Sequence, residues 1–456
     1  MIHSERIQKL NNLPVNNTSN FIVYWMQSSS RTEFNHALEY AIEKSNEIQK
    51  PLIVFYGLTD SFPEATERHY YFLLEGLQEV ESNLIKRGIK FVVQKISPEI
   101  GAFEIAKDAA LVVVDRGYLN IERKWRQFLS GKLDCSLIQV ESNVVVPVED
   151  ASDKEEFAAY TIRPKINKKL NKYLVPLNKR KVNFSSNDYD FTTLNLLDLN
   201  NILNEFNIDK TVKKVSGFTG GYSKAKLNLQ EFISGKLEKY ETMRNNPVYD
   251  YQSNLSPFLH FGQISPLEIA LEISKTEGQA KKNYLEQLII RRELSINFIT
   301  YNLGYDNYNT LNNPRWAEQT LEDHIKDKRE YVYSLEEFEQ AKTHDSYWNA
   351  AQNEMVITGK MHNYMRMYWG KKILEWTETP ELAYKIAINL NNKYELDGRD
   401  PNGYTGVAWC FGKHDRPWKE RPIFGKVRYM NANGLRRKFD VEKYVMKIKN
   451  LDIYNN

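Results

Sequence analysis

Three tryptophans stand at spacings that could move electrons. Trp369 and Trp376 are seven residues apart in a stretch patterned as a helix, so both rings fall on one face, roughly 10 Å apart along the axis. Trp348 precedes Trp369 by 21 residues. Indole rings suit one-electron oxidation, and such a series could link the surface to a buried redox cofactor. A core stripe is the commoner fate of the same pattern. Other stretches could hold a phosphorylated ligand. Gly217-Phe218-Thr219-Gly220-Gly221-Tyr222-Ser223 leads into a helical pattern. Glycines there would let the backbone approach a phosphate, and the helix start would offer free N–H donors; a flexible capped loop explains it as simply. Ser256-Pro257 and Ser265-Pro266 both read as helix starts, with Ser at the N-cap and Pro at the first helical position. Two such ends could bind a pyrophosphate, or be two capped helices and nothing more. From Asp397 to Trp409 the chain is polar, glycine-bearing and aromatic. It reads as an elaborate functional loop, not the interior of a helix or strand, with Asp397 available to Arg366.

The scaffold that must position these residues is legible in outline. The first 150 residues alternate short apolar runs (Phe21–Trp25, Leu52–Tyr56, Phe91–Val93, Leu111–Val114, Leu137–Val140) with amphipathic stretches, one of them from Glu67 to Arg87. This is the signature of βαβ units and a parallel, Rossmann-like sheet. No GxGxxG follows the first run, which argues against an ordinary dinucleotide-binding domain. A polar, turn-rich stretch around Asn183–Asp188 marks a linker. Beyond it, helical spacing predominates over 227–243, 266–273, 281–299, 335–341, 350–376 and 380–391. The expected division is an α/β domain over 1–175, a linker over 176–213, and an all-α domain over 214–456.

Composition narrows the class. The chain has 456 residues, 41% hydrophobic and 27% charged, as in ordinary soluble globular proteins. No run approaches the roughly 18 apolar residues of a membrane span, and the N-terminus lacks the apolar core of a signal peptide. Two cysteines, Cys135 and Cys410, exclude a disulfide framework and a four-cysteine zinc site, and no other metal site is expected. An intracellular, reduced monomer follows as the expectation. Net charge is only +3, but Lys413–Lys449 holds 12 Lys and Arg against 4 Asp and Glu: a solvated surface, or a face for phosphates. Six of the eight tryptophans lie between Trp316 and Trp418, which fits a large core and equally a site for flat rings.

These features together resemble the photolyase/cryptochrome flavoproteins, and among them the class II cyclobutane pyrimidine dimer photolyases. The resemblance covers nearly the whole chain. It is most specific at Ala159–Ile166, Ser256–Gly262, Gly359–His362 and Tyr394–Gly403. It implies an α/β antenna domain, a linker and a helical domain that binds FAD, with a deazaflavin, a folate or no pigment as antenna. It implies light-driven repair of UV-damaged double-stranded DNA, by electron transfer from reduced FAD to a flipped-out dimer. Tyr240, Ser253, Leu255 and Ser256 match positions on the FAD, with the basic Arg244 close by. Arg366 and Asp397 match the pair flanking the isoalloxazine ring, and Asn391 matches the asparagine facing its N5. Trp348, Trp369 and Trp376 match the photoreduction tryptophans, Trp369 innermost. Met367 and Trp409 match walls of the dimer pocket; Arg416, Trp418 and Arg428 match residues that enter or brace the DNA.

One position departs from the family. Where a pocket glutamate is expected, the stretch Leu285–Glu293 places Gln287. A glutamine can donate a hydrogen bond to a thymine carbonyl but delivers no proton. Glu286 is about 100° away around a helix and reads as a surface or packing partner. Arg291 occupies a position where the family carries Trp or Arg. Gln287 favours a cryptochrome-like photoreceptor without repair activity. Met367, Trp409, the basic segment and the short C-terminus favour repair, which we expect. A helical nucleic-acid binder without a cofactor would leave the cradle loops and the tryptophan spacing unexplained.

Overall fold

The computed structural model describes residues 2–455, without the side chains of 452–455. Six strands form one sheet: β1 (Ile7–Lys9), β2 (Phe21–Trp25), β3 (Leu52–Leu58), β4 (Lys90–Lys95), β5 (Ala109–Asp115) and β6 (Ser136–Val140). Their order is β1-β6-β5-β2-β3-β4. β2 to β6 run parallel and β1 closes one edge antiparallel to β6. The apolar runs become β2 to β6 because every residue of β2, β3, β5 and β6 is buried, as in a sheet covered by helices on both faces. β1 has the sequence Ile-Gln-Lys and no buried residue, so it carries no hydrophobic signal.

The linker is no free tether. The Ser186 hydroxyl donates to Leu52 O (2.5 Å) and accepts from Lys90 N (2.8 Å), and Leu194 N donates to Val93 O (2.8 Å). The segment runs back over the edge of the sheet and carries one short helix, Leu199–Asn204. Two loops lock the sheet to the helical part. Arg31, fully buried, donates to Asn143 Oδ1 and Gly262 O at 2.8 Å each. Gly262 has φ +65°, and a Cβ there would lie 2.0 Å from Ser28 O, so no larger residue fits.

The helical part holds a core that includes Trp348, Trp369, Trp376, Leu390, Phe411 and Tyr444. Several helical stretches are interrupted where periodicity suggested continuity. Pattern 227–243 breaks into Tyr222–Glu231, a wide π turn Phe232–Lys236, and Tyr240–Met243. Pattern 281–299 contains a π turn at Glu286–Arg291. Pattern 350–376 is two helices, Ser346–Thr358 and Asn363–Glu375, separated at Gly359, whose φ of +71° ends the first. The stretch expected to be loop is itself corrected: Pro401–Cys410 is a helix. Asp400 caps it by accepting from Asn402 N, and Pro401 occupies the start. Its glycines concealed the pattern; at Gly403 a Cβ would lie 2.9 Å from Asn391 Nδ2. Ser256 also departs from expectation. Leu255 is the N-cap and Ser256 the first helical residue, whereas Ser265 caps its helix by accepting from Leu267 N. Among the described residues no helix is long and apolar enough to cross a membrane.

Candidate active site

The Asn363–Glu375 helix carries Arg366, Met367 and Trp369, and the turn after Pro380–Tyr394 carries Glu395 and Asp397. Arg366 Nη2 bridges Glu395 Oε1 (2.9 Å) and Asp397 Oδ1 (3.3 Å). Burial pushes the Asp397 carboxyl up, but Arg366 and the hydroxyl of Ser256 outweigh it and hold it below the usual range. Burial also pushes Glu395 up, to about 8, against the pull of Arg366. Glu395 is the member of this triad that sequence reasoning missed: it stands two residues before Asp397, just ahead of the stretch read as a loop, and was given no role. Arg366 Nε is buried and has no hydrogen-bond partner among the described residues, a donor left over for a bound group.

The other residues expected at a cofactor make the following contacts. Lys360 Nζ donates to Asn254 Oδ1 (2.6 Å); Asn254, with φ +56°, donates to Asp250 Oδ2 (2.9 Å), which also pairs with Lys236 (2.6 Å). Leu255 is buried beside them, and the Ser253 hydroxyl faces the phenol of Tyr284. Tyr240 packs edge-on against Tyr284 (5.3 Å), with the Arg244 guanidinium 5.7 Å from its ring. Asn391 is buried, donates to Asn392 Oδ1 (3.0 Å), and lies against Gly403. The glycine loop 217–221 instead contacts the sheet-side helix Glu67–Lys86: Gly220 N and Ser223 N donate to Glu75 and Glu79. It binds carboxylates of its own chain, as a capped loop does.

The tryptophans form a connected series. Trp369 and Trp348 stack at 6.4 Å and 7°, and Trp348 meets Trp376 at 6.3 Å and 66°. Trp348 thus fills the gap between Trp369 and Trp376, which stands at the C-cap just past the same helix. Trp348 Nε1 donates to Trp369 O and Trp369 Nε1 to Gln352 Oε1. All three are buried; Trp376 lies against Tyr333 and His344 toward the outside.

A second group faces solvent. Trp409, half-buried, lies 5.7 Å from the Arg428 guanidinium; Arg428 also lies 5.0 Å from Trp418, which Arg416 approaches at 5.3 Å. Met367 and Cys410 meet where the helices Asn363–Glu375 and Pro401–Cys410 cross. Gln287 is half-buried in the π turn and makes no side-chain hydrogen bond among the described residues, so its amide is available to a ligand. Glu286 is engaged by Arg163 in a two-point pair (2.7 and 3.1 Å), with Arg291 3.6 Å away. It is a packing partner, as its place on the helix implied.

A separate cleft, enclosing ≈ 1080 Å³ including its open part, lies at the carboxyl ends of β2, β3 and β5, against Leu259–Phe261 and Arg399–Pro401. Such crevices are where α/β sheets bind ligands. Gln27 lines it with both amide atoms buried and without a hydrogen-bond partner among the described residues.

An α/β sheet of this order joined to a helical domain with a buried tryptophan series is the photolyase/cryptochrome fold. A class III photolyase from Agrobacterium tumefaciens superposes with TM-score 0.73 at 19% identity, covering 94% of this chain and 86% of its own. A Synechocystis cryptochrome gives 0.67 at 14%, covering 95% and 99%. A family profile described as DNA photolyase matches residues 22–183. The deoxyribodipyrimidine photo-lyase of Methanothermobacter thermautotrophicus is 54% identical over 99% of both chains, and that of Arabidopsis thaliana 41% identical over 96% of this chain and 90% of its own. The chain belongs to the DNA photolyase family.

Proposed function

We propose that this protein is a class II photolyase that repairs cyclobutane pyrimidine dimers in DNA under light. The observation that carries the repair reading is the 54% identity, over essentially all of both chains, to a deoxyribodipyrimidine photo-lyase; the class rests on the motif resemblance at Ala159–Ile166, Ser256–Gly262, Gly359–His362 and Tyr394–Gly403. The enzyme is a carbon–carbon lyase. FAD, the family's cofactor, supplies in reduced form the light absorption and the electron that opens the dimer's cyclobutane ring and then returns. The residues fit that group: the free Arg366 Nε and the Arg366–Glu395–Asp397 triad suit a polar ring edge, Asn391 offers an amide to it, and Lys360, Asn254, Ser253 and Ser256 suit its phosphates and ribose. Trp376, Trp348 and Trp369 give an inward path for the electron that restores the reduced cofactor.

The lesion enters between Met367, Trp409 and the π turn. Its poor stacking makes extrusion from the duplex less costly than for intact bases. Gln287 donates an N–H to a thymine carbonyl and moves no proton. Arg416, Trp418 and Arg428 brace the opened duplex, and Arg244 and Arg291 reach its phosphates. The cleft at the sheet's carboxyl ends suits a flat fused-ring antenna pigment, with the Gln27 amide as its polar contact. The test is illumination of dimer-containing DNA with the reduced holoprotein. Dimers lost in light and retained in darkness bear the reading out; equal dimer content in both refutes it.

A further inference from the structure

We propose that Lys371 is the charged floor of the lesion pocket, a positioning residue whose buried ammonium sets Trp409 and thereby the preference for dimer-containing over undamaged DNA. The inference rests on Trp409 being a wall of that pocket. Lys371 is fully buried, at 0% exposure, yet no carboxylate lies within ion-pair distance of it among the described residues. Lysines are almost never fully buried unpaired, because the desolvated charge is costly. Its partners are two. The Nζ donates to Cys410 O at 2.5 Å, and it lies 5.1 Å from the centre of the Trp409 ring. Cys410 ends the Pro401–Cys410 helix, so the ammonium meets the negative end of the helix that carries Trp409. It also lies within reach of the ring's electron-rich system.

The approach is built in. Gly370, next to Lys371, faces Cys410; a Cβ there would lie 2.7 Å from Cys410 Sγ. Met367, the other proposed wall, is one turn before Lys371 on the same helix. A tether between two helices needs only a neutral donor. A charge held beneath two pocket walls, at the cost of burying it, points to a role in what the pocket holds.

The groups facing Lys371 are the Cys410 thiol, Asp415 and Arg428. Burial lowers Lys371 to about 8, with Arg428 adding to that and Cys410 and Asp415 opposing it. Burial raises the Cys410 thiol to about 11, so it stays neutral. The ammonium is therefore present below about pH 8 and lost above it. Between that value and the ordinary 10.5 the folded state binds fewer protons than the unfolded one, so Lys371 makes the fold more stable as pH rises. Lesion preference moves the other way, and this opposition separates a pocket role from a merely structural one.

The experiment measures, in the dark, the affinities of the holoprotein for a duplex with one thymine dimer and for the same duplex undamaged, with melting temperatures, from about pH 6.5 to 9.5. The wild-type affinity ratio should fall several-fold through about pH 8 while Lys371's contribution raises the melting temperature. Lys371→Met should lower the ratio about tenfold at neutral pH, remove the pH step, and leave the melting temperature equal or higher. A variant with the wild-type ratio and pH step overturns the inference, as does a ratio that falls together with the melting temperature. Should the variant not fold, the wild-type profile decides alone, and a flat ratio overturns it. Trp409→Ala, run beside it, identifies which reading fails. If its ratio is unchanged, the pocket assignment is wrong and the inference falls with it; if only Lys371→Met is silent, the pocket stands without a charged floor.

Discussion

At residue scale, the tryptophan series makes the sharpest demand. Trp369 stacks on Trp348 and Trp348 touches Trp376, so removing one indole breaks the path without touching the lesion pocket. Trp369→Phe should slow cofactor photoreduction at least about tenfold, because the electron must then cross the gap left by the indole in one longer step, a factor equivalent to about 1.4 kcal/mol. Repair by chemically pre-reduced enzyme should stay near wild type; transient absorption and a repair assay on the same preparation separate the two. Gln287 carries a second prediction. It does not titrate, so wild-type repair should show no step from it between pH 4 and 7, taken as about the range of a carboxyl group. Gln287→Glu should introduce one, seen as a repair rate that changes with pH through that range. Part of this site was legible in residue types and spacing, namely the tryptophans and Asp397 with Arg366, and Gln287 came only through the family resemblance. Glu395 and Lys371 were not, because a carboxylate beside another carboxylate and a lysine among lysines carry no sequence signal. Only the fold shows that both are buried.

At the scale of elements, sequence periodicity gave the five parallel strands and most helices, since burial on both faces and 3.6-residue spacing both leave a mark. It missed β1, which has no buried residue, and ran through the π turns, whose side chains keep an apolar pattern while the backbone widens. The helix Pro401–Cys410 was hidden by Gly403 and Gly406, poor helix formers. Gly403 stands where the end of the Asn391 side chain approaches closely. Gly403→Ala should still fold, because its Cβ, 2.9 Å from Asn391 Nδ2, meets a side-chain end and should push that amide aside. The expected result is a melting temperature within a few degrees of wild type, as about 1 kcal/mol of helix propensity offsets the crowding, with a shifted absorption spectrum of bound FAD. An unshifted spectrum would remove Asn391 from the cofactor's edge.

At the scale of the whole molecule, the exposed basic residues from Arg416 to Lys449 should dominate affinity for DNA and make it fall with salt, whereas Lys413 is buried and paired with Glu155. Arg416 is exposed; Arg416→Ala should lower the slope of log affinity against log salt by about 1 on dimer-containing duplexes. A titration at several salt concentrations checks this. The domain architecture was readable because sheet and helical parts differ in period, whereas their docking through Arg31 and Gly262 was not, because one glycine among 21 looks like any other. The central claim is that this assembly, with glutamine in place of the usual pocket acid, repairs cyclobutane dimers. Its most direct test is the loss of dimers per absorbed photon when the pre-reduced holoprotein is illuminated with DNA carrying either cyclobutane dimers or (6-4) products. The account predicts light-dependent loss of the cyclobutane dimers and persistence of the (6-4) products. A bound FAD that photoreduces while cyclobutane dimers persist would contradict it.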